Sequence, residues 1–459
     1  MMEHDPSMRS ASAAAGRSGE AVGGGAPGLA VARRSARASE VALVVGFLLM
    51  IGGVPVVQTG LELLRGERVQ FTDVVRQPLT ARALRQYEGV LRERSWFQQW
   101  ARPVVRRLGW VLLGEVGTQA VRGRGDWLFY RPDLRYLVEP DRAEAGGADW
   151  EWMEPGVRRT SREGVIEAIT TFRDQLRERG IVLVVVPVPG KPAVYPERLT
   201  RREVGGVVSP TQELLEALER RGVATVDLAA VFWDMRRRGG GGALYLARDT
   251  HWTPRGAKAA AGAVAARLRA LGVAPPSTKA FRTQAVSVGR RGDILEMLQI
   301  PGLREREGVE AVECEQVTDP VLGLMIPTAS ERPGTYRFPG GLAGVLVLGD
   351  SFSRIYQYRE PATLGEALGS GLAEEGARAG GKRLLPGSAG FIAHLALALQ
   401  SPVDAITSDG GASTEVRRRL STNPEILEGK RVVVWEFVER DIALGRAGWE
   451  AVPLPARLD

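Results

Sequence analysis

Three polar residues in two short motifs have the side chains needed for nucleophilic acyl transfer. Ser351 stands in Val-Leu-Val-Leu-Gly-Asp-Ser-Phe, directly after an apolar run, and Asp249 and His251 stand in the earlier Asp-Thr-His-Trp. A serine hydroxyl becomes a useful nucleophile only when a base removes its proton. His251 can be that base, and Asp249 projects to the same side because side chains alternate along an extended chain. The motifs predict an Asp249–His251–Ser351 triad.

Both motifs also have ordinary structural explanations. A polar residue after a strand often caps the next helix, and Asp-Thr-His-Trp stands just before Thr253 and Pro254, which predict a helix start. The histidine content favours catalysis, because the chain has only His4, His251 and His394 and only His251 lies in a predicted α/β loop. His394 falls in an apolar run that predicts a buried helix, so we expect a hydrogen-bonded core histidine there.

Metal, cofactor and nucleic-acid sites are not predicted. Cys314 is the single cysteine, which excludes an internal disulfide and any cysteine-based metal cluster. The chain has no His-Glu-x-x-His motif, no phosphate-binding loop and no dinucleotide fingerprint. The net charge is +7, but the arginines are spread among acidic residues and no DNA- or RNA-binding motif accompanies them. A weak attraction to acidic polysaccharide or anionic lipid remains compatible with this charge.

The N-terminal region predicts a membrane anchor. Residues 1–40 are rich in Gly, Ala, Ser and Arg and predict a disordered tail. The uncharged run Val41–Val57 is near the lower length limit for a membrane-spanning helix, so residues 41–58 are interpreted as a transmembrane signal anchor. Arginines precede it closely and favour a cytoplasmic N-terminus, with the remaining chain in the periplasm or another extracytoplasmic space. A cleaved signal peptide and a buried core helix are the alternatives.

The remaining sequence divides by its periodicity. Residues 59–120 have helical spacing and predict a helical stalk, residues 121–445 predict the catalytic domain, and residues 446–459 predict a C-terminal tail. Within the catalytic domain, buried β-branched runs alternate with amphipathic helices. This alternation predicts an α/β three-layer sandwich over a mainly parallel sheet. Residues 280–340 are rich in Gly and Pro and predict a loop insertion.

Several motifs in order resemble one known family. Asp-x-His-Trp followed by Gly-Asp-Ser-Phe resembles the SGNH-hydrolase-like domain of the AlgJ/AlgX-type alginate O-acetyltransferases. Further similar segments cover about residues 85–445: Gly-Asp-Trp-Leu-Phe-Tyr from Gly125, the Lys191 segment Pro187–Leu199, Arg290–Leu298 and Val432–Ile442. The resemblance implies an SGNH-like fold with Ser351 as nucleophile, His251 as base and Asp249 as its orienting group.

The resemblance also implies a reaction. We expect acetyl transfer through an acetyl-serine intermediate to a hydroxyl of an exopolysaccharide, with acetyl groups supplied across the membrane by a multi-span membrane acyltransferase. The backbone N–H of Ser351 is the expected oxyanion donor, and Arg354 and Tyr356 are nearby candidates. The alternatives are an esterase with the same triad, an enzyme acting on peptidoglycan, and a catalytically silent polysaccharide-binding or assembly protein.

Overall fold

A computed structural model describes most of the 459 residues. The described residues are 40–69, 71–73, 80–114, 117–138, 161–201, 207–290, 292–300, 303, 310–321, 323–324, 334–338, 343–357, 378–379, 382–383, 387–444 and 448–455. The disordered tail predicted for residues 1–40 falls almost wholly outside them, as does part of the predicted tail 446–459. Two compact units divide the chain, residues 1–102 and residues 103–459.

The N-terminal unit contains one long apolar helix. Helix α1, Glu40–Leu64, has a mean hydropathy of 2.3, includes a π-helical stretch at Leu49–Gly53, and is long and apolar enough to cross a membrane. Its most apolar segment is not buried against protein, which disagrees with the core-helix alternative. Helix α2 spans Ala81–Arg94. Its N-cap is Thr80, whose hydroxyl accepts a hydrogen bond from the backbone N–H of Ala83 at 3.2 Å. Such N-caps contribute about 1 kcal/mol.

The described strands and helices lie mostly in the second unit. The strands are β1 Ala120–Arg122, β2 Leu128–Tyr130, β3 Val182–Val188, β4 Ala224–Thr225, β5 Arg282–Arg290, β6 Glu310–Asp319, β7 Gly323–Leu324, β8 Thr335–Tyr336, β9 Val345–Gly349, β10 Arg378–Ala379, β11 Lys382–Arg383, β12 Val403–Thr407 and β13 Val432–Val438. The further helices are α3 Trp96–Leu108, α4 Arg131–Val138, α5 Arg162–Arg177, α6 Lys191–Val194, α7 Thr211–Arg220, α8 Leu228–Arg238, α9 Pro254–Ala270, α10 Asp293–Leu298, α11 Ser351–Arg354, α12 Phe391–Leu399, α13 Glu415–Ser421 and α14 Asp441–Leu444.

A six-stranded sheet forms the centre of the second unit. Its strand order is β4-β3-β13-β9-β12-β8, and every pairing is parallel except the one between β12 and β8. Carboxyl ends of parallel strands meet at one edge, where loops can present reactive groups. Helix α11 begins at Ser351, two residues after β9 ends, and the register pairs Leu348 of β9 with Trp435 of β13. This places the end of β13 beside the predicted nucleophile.

Alternating side chains along the strands build two cores, one on each face of the sheet. Val184, Val186 and Val188 of β3 pack in one cluster with helices α8, α9 and α12. Leu183 and Val185 pack in the other with helices α5, α7 and α13. Full burial of such a side chain contributes about 1.5–3 kcal/mol. The predicted α/β three-layer arrangement with a mainly parallel sheet is confirmed.

Two parts of the fold differ from the sequence-based interpretation. The segment interpreted as a loop insertion contains an antiparallel sheet, in which β5 pairs with β6 from Arg282 opposite Thr318 to Arg290 opposite Glu310. Strand β12 was not predicted, because it is short and contains the charged Asp404. That carboxylate is stabilised by the backbone N–H of Phe338 at 2.8 Å and by Lys430 at 2.9 Å.

Candidate active site

Ser351 begins a short helix immediately after the central strand β9. Asp350 caps this helix by accepting a hydrogen bond from the backbone N–H of Phe352 at 2.8 Å. The preceding residue, Gly349, has no room for a side chain, because an added Cβ would lie 2.3 Å from Oγ of Ser353 and 2.7 Å from Oε2 of Glu436. The close approach at Gly349 therefore fixes the turn that presents the Ser351 hydroxyl.

A buried carboxyl group holds this turn against strand β13. Oε2 of Glu436 accepts hydrogen bonds from the Ser353 hydroxyl at 2.5 Å and from the backbone N–H of Asp350 at 3.2 Å. Oδ2 of Asp350, the carboxylate oxygen that does not cap helix α11, accepts a hydrogen bond from the backbone N–H of Val438 at 2.9 Å. Burial, and then the charge of Asp350, raise the pKa of Glu436 well above its ordinary value. This shift favours the protonated form of Glu436, which reduces the repulsion between two adjacent buried carboxyl groups.

The loop before helix α9 presents the acid and the base together. Tyr245 and Trp252 form an isolated antiparallel bridge, and the backbone N–H of Leu246 donates to the carbonyl oxygen of His251 at 3.1 Å. The turn between them brings Asp249 against His251. Oδ1 of Asp249 lies 3.0 Å from the backbone nitrogen of His251 and 2.6 Å from its Nδ1. The carboxylate therefore fixes both the backbone and the ring of the histidine.

The three residues predicted as a triad form one hydrogen-bonded chain. Nε2 of His251 lies 2.8 Å from Oγ of Ser351, and Nδ1 of the same ring lies 2.6 Å from Asp249. Asp249 is fully buried, whereas the His251 side chain is 12% exposed. The Phe352 ring packs on the imidazole with centroids 4.7 Å apart. In this geometry His251 can accept the Ser351 proton while Asp249 stabilises the resulting imidazolium.

Charges around the imidazole determine its protonation. Burial alone would lower the pKa of His251, but the carboxylates of Asp249 and Asp293 raise it by more, so the net shift is upward. Burial alone would raise the pKa of Asp249, but His251 and Arg290 hold it well below its usual range. Asp249 therefore stays ionised, and His251 is a stronger base than an isolated histidine.

Arg290 and Asp293 contact the Asp249 carboxylate from the side opposite the oxygen that contacts Nδ1 of His251. Oδ2 of Asp249 lies 3.3 Å from Nη2 of Arg290 and accepts from the backbone N–H of Asp293 at 3.3 Å. Gly292, between them, has a φ of +84° and would place a Cβ 2.3 Å from the carbonyl oxygen of Arg248. Only glycine fits that backbone position. The sequence resemblance marked this segment but did not reveal these contacts.

A buried lysine fixes the loop that carries Asp249. Nζ of Lys191 donates to three carbonyl oxygens, those of Leu246 at 3.0 Å, Ala247 at 3.1 Å and Asp249 at 2.7 Å. Burial lowers the pKa of Lys191 to about 8, although nearby carboxylates such as Asp249 oppose the shift. The lysine therefore remains mostly protonated at neutral pH and retains its three hydrogen-bond donors.

The side chains of Tyr356 and Arg354, the two nearby oxyanion candidates, form contacts with other residues. The Tyr356 hydroxyl donates to the carbonyl oxygen of Trp252 at 3.3 Å, and its ring is buried beside the Arg290 guanidinium, 5.3 Å from the centroid. Nε of Arg354 lies 2.7 Å from Oδ1 of Asp409. The backbone N–H of Ser351, at the start of helix α11, stays the predicted donor.

His394 and Cys314 are the remaining residues of the described chain that the sequence singled out for possible chemistry. His394 is 2% exposed, and neither ring nitrogen has a hydrogen-bond partner among the described residues. The predicted burial is confirmed, but the expectation that hydrogen bonds satisfy this histidine is wrong. Burial lowers the pKa of His394 to about 4, so the ring is neutral at physiological pH. Burial likewise raises the pKa of the Cys314 thiol to about 12, so it is not a reactive thiolate.

One group of side chains in the described residues has spacing compatible with a metal ion. Ligand atoms of Asp249, His251 and Asp293 lie within 4.8 Å of one another. However, Nδ1 of His251 is already hydrogen-bonded to Asp249, and Asp249 is paired with Arg290. A cation would have to displace these partners and would face the guanidinium charge. These existing contacts therefore disfavour metal binding by this group.

Comparisons with known proteins identify relatives of the chain. The family model "SGNH hydrolase-like domain, acetyltransferase AlgX" matches residues 120–384, which is more than half of the chain and includes both triad motifs. A probable alginate O-acetylase AlgJ from Azotobacter vinelandii is 27% identical over 201 residues, 43% of this chain and 46% of the relative. One from Pseudomonas syringae is 23% identical over 337 residues, 72% of this chain and 71% of the relative. The chain thus spans about half of the first relative's length.

Two solved structures match about 70% of the chain. The O-acetyltransferase domain of Pseudomonas putida AlgJ has a TM-score of 0.47 at 22% identity, covering 71% of this chain and 92% of that one. Pseudomonas aeruginosa AlgX has a TM-score of 0.42 at 18% identity, covering 70% of this chain and 62% of that one. The resemblance inferred from the sequence motifs is confirmed by the match to the family model. The chain therefore belongs to the AlgX-type family of SGNH-hydrolase-like acetyltransferase domains.

Proposed function

We propose that the chain is a serine-dependent O-acetyltransferase that acts on an exopolysaccharide. The observation that carries this proposal is the hydrogen-bonded chain from Asp249 Oδ1 through His251 to Ser351 Oγ, with distances of 2.6 and 2.8 Å. Relatives named alginate O-acetylase support transfer of acetyl groups to a polysaccharide.

The proposed reaction has two steps. In the first, Ser351 Oγ forms a bond to the acetyl carbon of the donor while His251 takes the serine proton. The bond between the acetyl carbon and the donor's leaving group then breaks, and His251 gives the proton to the leaving group. In the second, His251 takes a proton from a sugar hydroxyl, whose oxygen forms the new ester bond as the bond to Ser351 Oγ breaks. The proton then returns to Ser351. Asp249 stabilises the imidazolium formed in each step.

The apolar helix Glu40–Leu64 supports a membrane-anchored form with the acetyltransferase domain outside the cytoplasm, in the periplasm or an equivalent space. A chain with one such helix among its described residues does not itself move a donor across a bilayer. We therefore propose that a multi-span membrane acyltransferase supplies the acetyl groups, and that the polysaccharide is the second partner.

The test uses the full chain in detergent micelles with a chromogenic acetyl ester and an oligosaccharide acceptor. We expect wild type to gain one acetyl group on Ser351 and then to transfer it to the oligosaccharide, both followed by mass spectrometry. Ser351→Ala should lose at least about 10³-fold in turnover. Ser421→Ala is the matched control, because its hydroxyl donates to the carbonyl oxygen of Pro453 and not to His251.

The outcomes separate the alternatives. Ester hydrolysis without transfer, in the presence of acceptor, would indicate an esterase that uses the same triad. Equal turnover of wild type and Ser351→Ala would exclude Ser351 as the nucleophile. A polysaccharide that binds without any acetyl turnover would favour the binding or assembly protein.

A further inference from the structure

A second carboxylate stands beside the base, on the side away from the nucleophile. Oδ2 of Asp293 lies 3.4 Å from Nδ1 of His251, and its side chain is 25% exposed. Asp293 is the first residue of helix α10, a position at which a carboxylate commonly interacts with the free N–H groups of its own helix. Here both oxygens instead contact Thr250, the residue between the acid and the base of the triad.

The contacts with Thr250 tie Asp293 to the catalytic loop. Oδ1 of Asp293 accepts from the backbone N–H of Thr250 at 2.7 Å, and Oδ2 accepts from the Thr250 hydroxyl. That hydroxyl also lies 3.2 Å from Nδ1 of His251. In return, the backbone N–H of Asp293 donates to Oδ2 of Asp249 at 3.3 Å. Asp293 thus contacts every residue of the Asp249–His251 segment.

The charges facing Asp293 indicate what it contributes. Asp249 and His251 face it from the loop, and Arg290 of β5 and Lys191 of α6 are the nearby cations that act on the same group of charges. Burial, and then the charge of Asp249, raise the pKa of Asp293 to about 6. Asp293 is therefore predominantly ionised at neutral pH, where a second negative charge favours the protonated form of His251.

We propose that Asp293 is a positioning residue of the acyl-transfer site, which holds Thr250 and shares with Asp249 the positive charge of the His251 imidazolium. This inference rests on the proposed function, because it assigns Asp293 to the same proton transfer. The proton moves from Ser351 Oγ to Nε2 of His251, and Asp293 neither accepts it nor forms a bond to substrate.

The test measures the His251 ring directly as well as the reaction. The full chain in detergent micelles is labelled with ¹³C-histidine and titrated by NMR. The chain has only three histidines, so His251→Gln assigns the resonance, and the pKa of about 4 separates His394 from it. Asp293→Asn should lower the pKa of His251, because one of the two carboxylates that raise it is lost. The acid limb of the rate profile should move to lower pH, and kcat should fall about tenfold with KM unchanged.

Three further variants separate the effect of charge from the effect of structure. Glu296→Gln makes the same chemical change three positions along helix α10 and should leave the His251 pKa and kcat at their wild-type values. Asp293→Glu keeps the charge and should retain most of the His251 pKa shift. If Asp293→Asn does not fold, Thr250→Val is used, because it removes only the hydroxyl between Asp293 and His251; kcat should then fall with KM unchanged.

An unchanged His251 pKa in Asp293→Asn would overturn the proposal, as would a change of equal size in Glu296→Gln or a wild-type kcat in Thr250→Val. Failure of the proposed function is recognised separately, because wild type would then show no Ser351-dependent acetyl transfer. The NMR titration would still report whether Asp293 acts on His251.

Discussion

Arg290 and Asp249 form a buried ion pair beside His251. Nη2 of Arg290 lies 3.3 Å from Oδ2 of Asp249, and the two side chains are 9% and 0% exposed. Breaking one side of a buried pair leaves an uncompensated charge and costs about 3–5 kcal/mol. The ionised state of Asp249 is therefore stabilised in part by a residue of a distant segment, strand β5.

Arg290→Met is expected to move the activity profile in the direction opposite to Asp293→Asn. Arg290 lowers the pKa of His251, so its loss should raise that pKa. Activity requires the neutral ring and should then appear only at higher pH. Arg282→Met, at the exposed other end of the same strand, is the control. The measurement is kcat/KM against pH for both variants; an acid limb at the wild-type position in Arg290→Met would contradict the assignment.

Lys191→Met is expected to impair both folding and catalysis. The variant keeps the length of the side chain but removes the donors for the carbonyl oxygens of Leu246, Ala247 and Asp249. Unpaired buried carbonyls should reduce the free energy of unfolding by about 3 kcal/mol. Displacement of the loop should lower kcat on the order of 10- to 100-fold.

The control for that variant is Lys258→Met, which breaks an exposed ion pair with Glu315. Exposed pairs contribute about 0–1 kcal/mol, so its stability and turnover should stay close to wild type. Chemical denaturation and acetyl-ester turnover of both variants test the difference. Equal effects of the two substitutions would show that Lys191 does not hold the loop.

Gly349→Ala is expected to displace the nucleophile. Its Cβ would meet Oγ of Ser353 at 2.3 Å and Oε2 of Glu436 at 2.7 Å, in the turn that presents Ser351. Overpacking of this kind costs about 1–3 kcal/mol, and we expect acyl-enzyme formation to fall at least about tenfold. Gly262→Ala, in open space on helix α9, should instead stabilise the chain by about 0.5–1 kcal/mol. Burst kinetics and thermal unfolding distinguish the two, and an unimpaired burst in Gly349→Ala would contradict the prediction.

Glu439 is expected to make stability fall as the pH rises. Burial, opposed by hydrogen bonds from Ser209, Thr211 and Gly190, raises the pKa of Glu439 from 4.5 to about 7. A raised pKa means that the folded chain binds this proton more tightly than the unfolded chain. Its stabilising effect is therefore fully present below about pH 4.5 and is lost as the pH passes through about 7. The difference across this range is at most about 3 kcal/mol.

Glu439→Gln should flatten the dependence of stability on pH between about 4.5 and 7. The exposed Glu313→Gln is the control and should keep the wild-type slope. Thermal unfolding of the full chain at a series of pH values measures both. A wild-type slope in Glu439→Gln would show that another group titrates in this range.

The layers of the fold could be predicted from the sequence, because each strand and helix is marked by the residue pattern within its own segment. The buried runs around Val184 and Val347 are long and β-branched, and the amphipathic helices between them have clear starts and ends. Strand β5 escaped prediction because its first residues are exposed and polar, and its partner β6 lies beyond residues that interrupt the pattern. Strand pairing between separate segments is not encoded in either segment alone.

At the candidate site too, single motifs could be predicted, but contacts between distant segments could not. Asp249, His251 and Ser351 could be named from two motifs, because their residue types and spacing suggest one chemistry. Glu436 looked like any residue of a buried strand, and nothing in its neighbourhood in the sequence indicated that it faces Asp350. Arg290, Asp293 and Lys191 were marked only by resemblance. Their contacts to the triad depend on how three distant segments meet at the edge of the sheet.

The placement of Asp249 and His251 on one short loop has a consequence for thermal motion. A displacement of that loop carries the acid and the base together, so the 2.6 Å distance between Oδ1 and Nδ1 is conserved. The same displacement changes the 2.8 Å distance between Nε2 and the Ser351 oxygen, which lies on a separate segment of the chain. We therefore expect thermal fluctuations of the proposed proton-transfer chain to change mainly the distance between Nε2 of His251 and Oγ of Ser351.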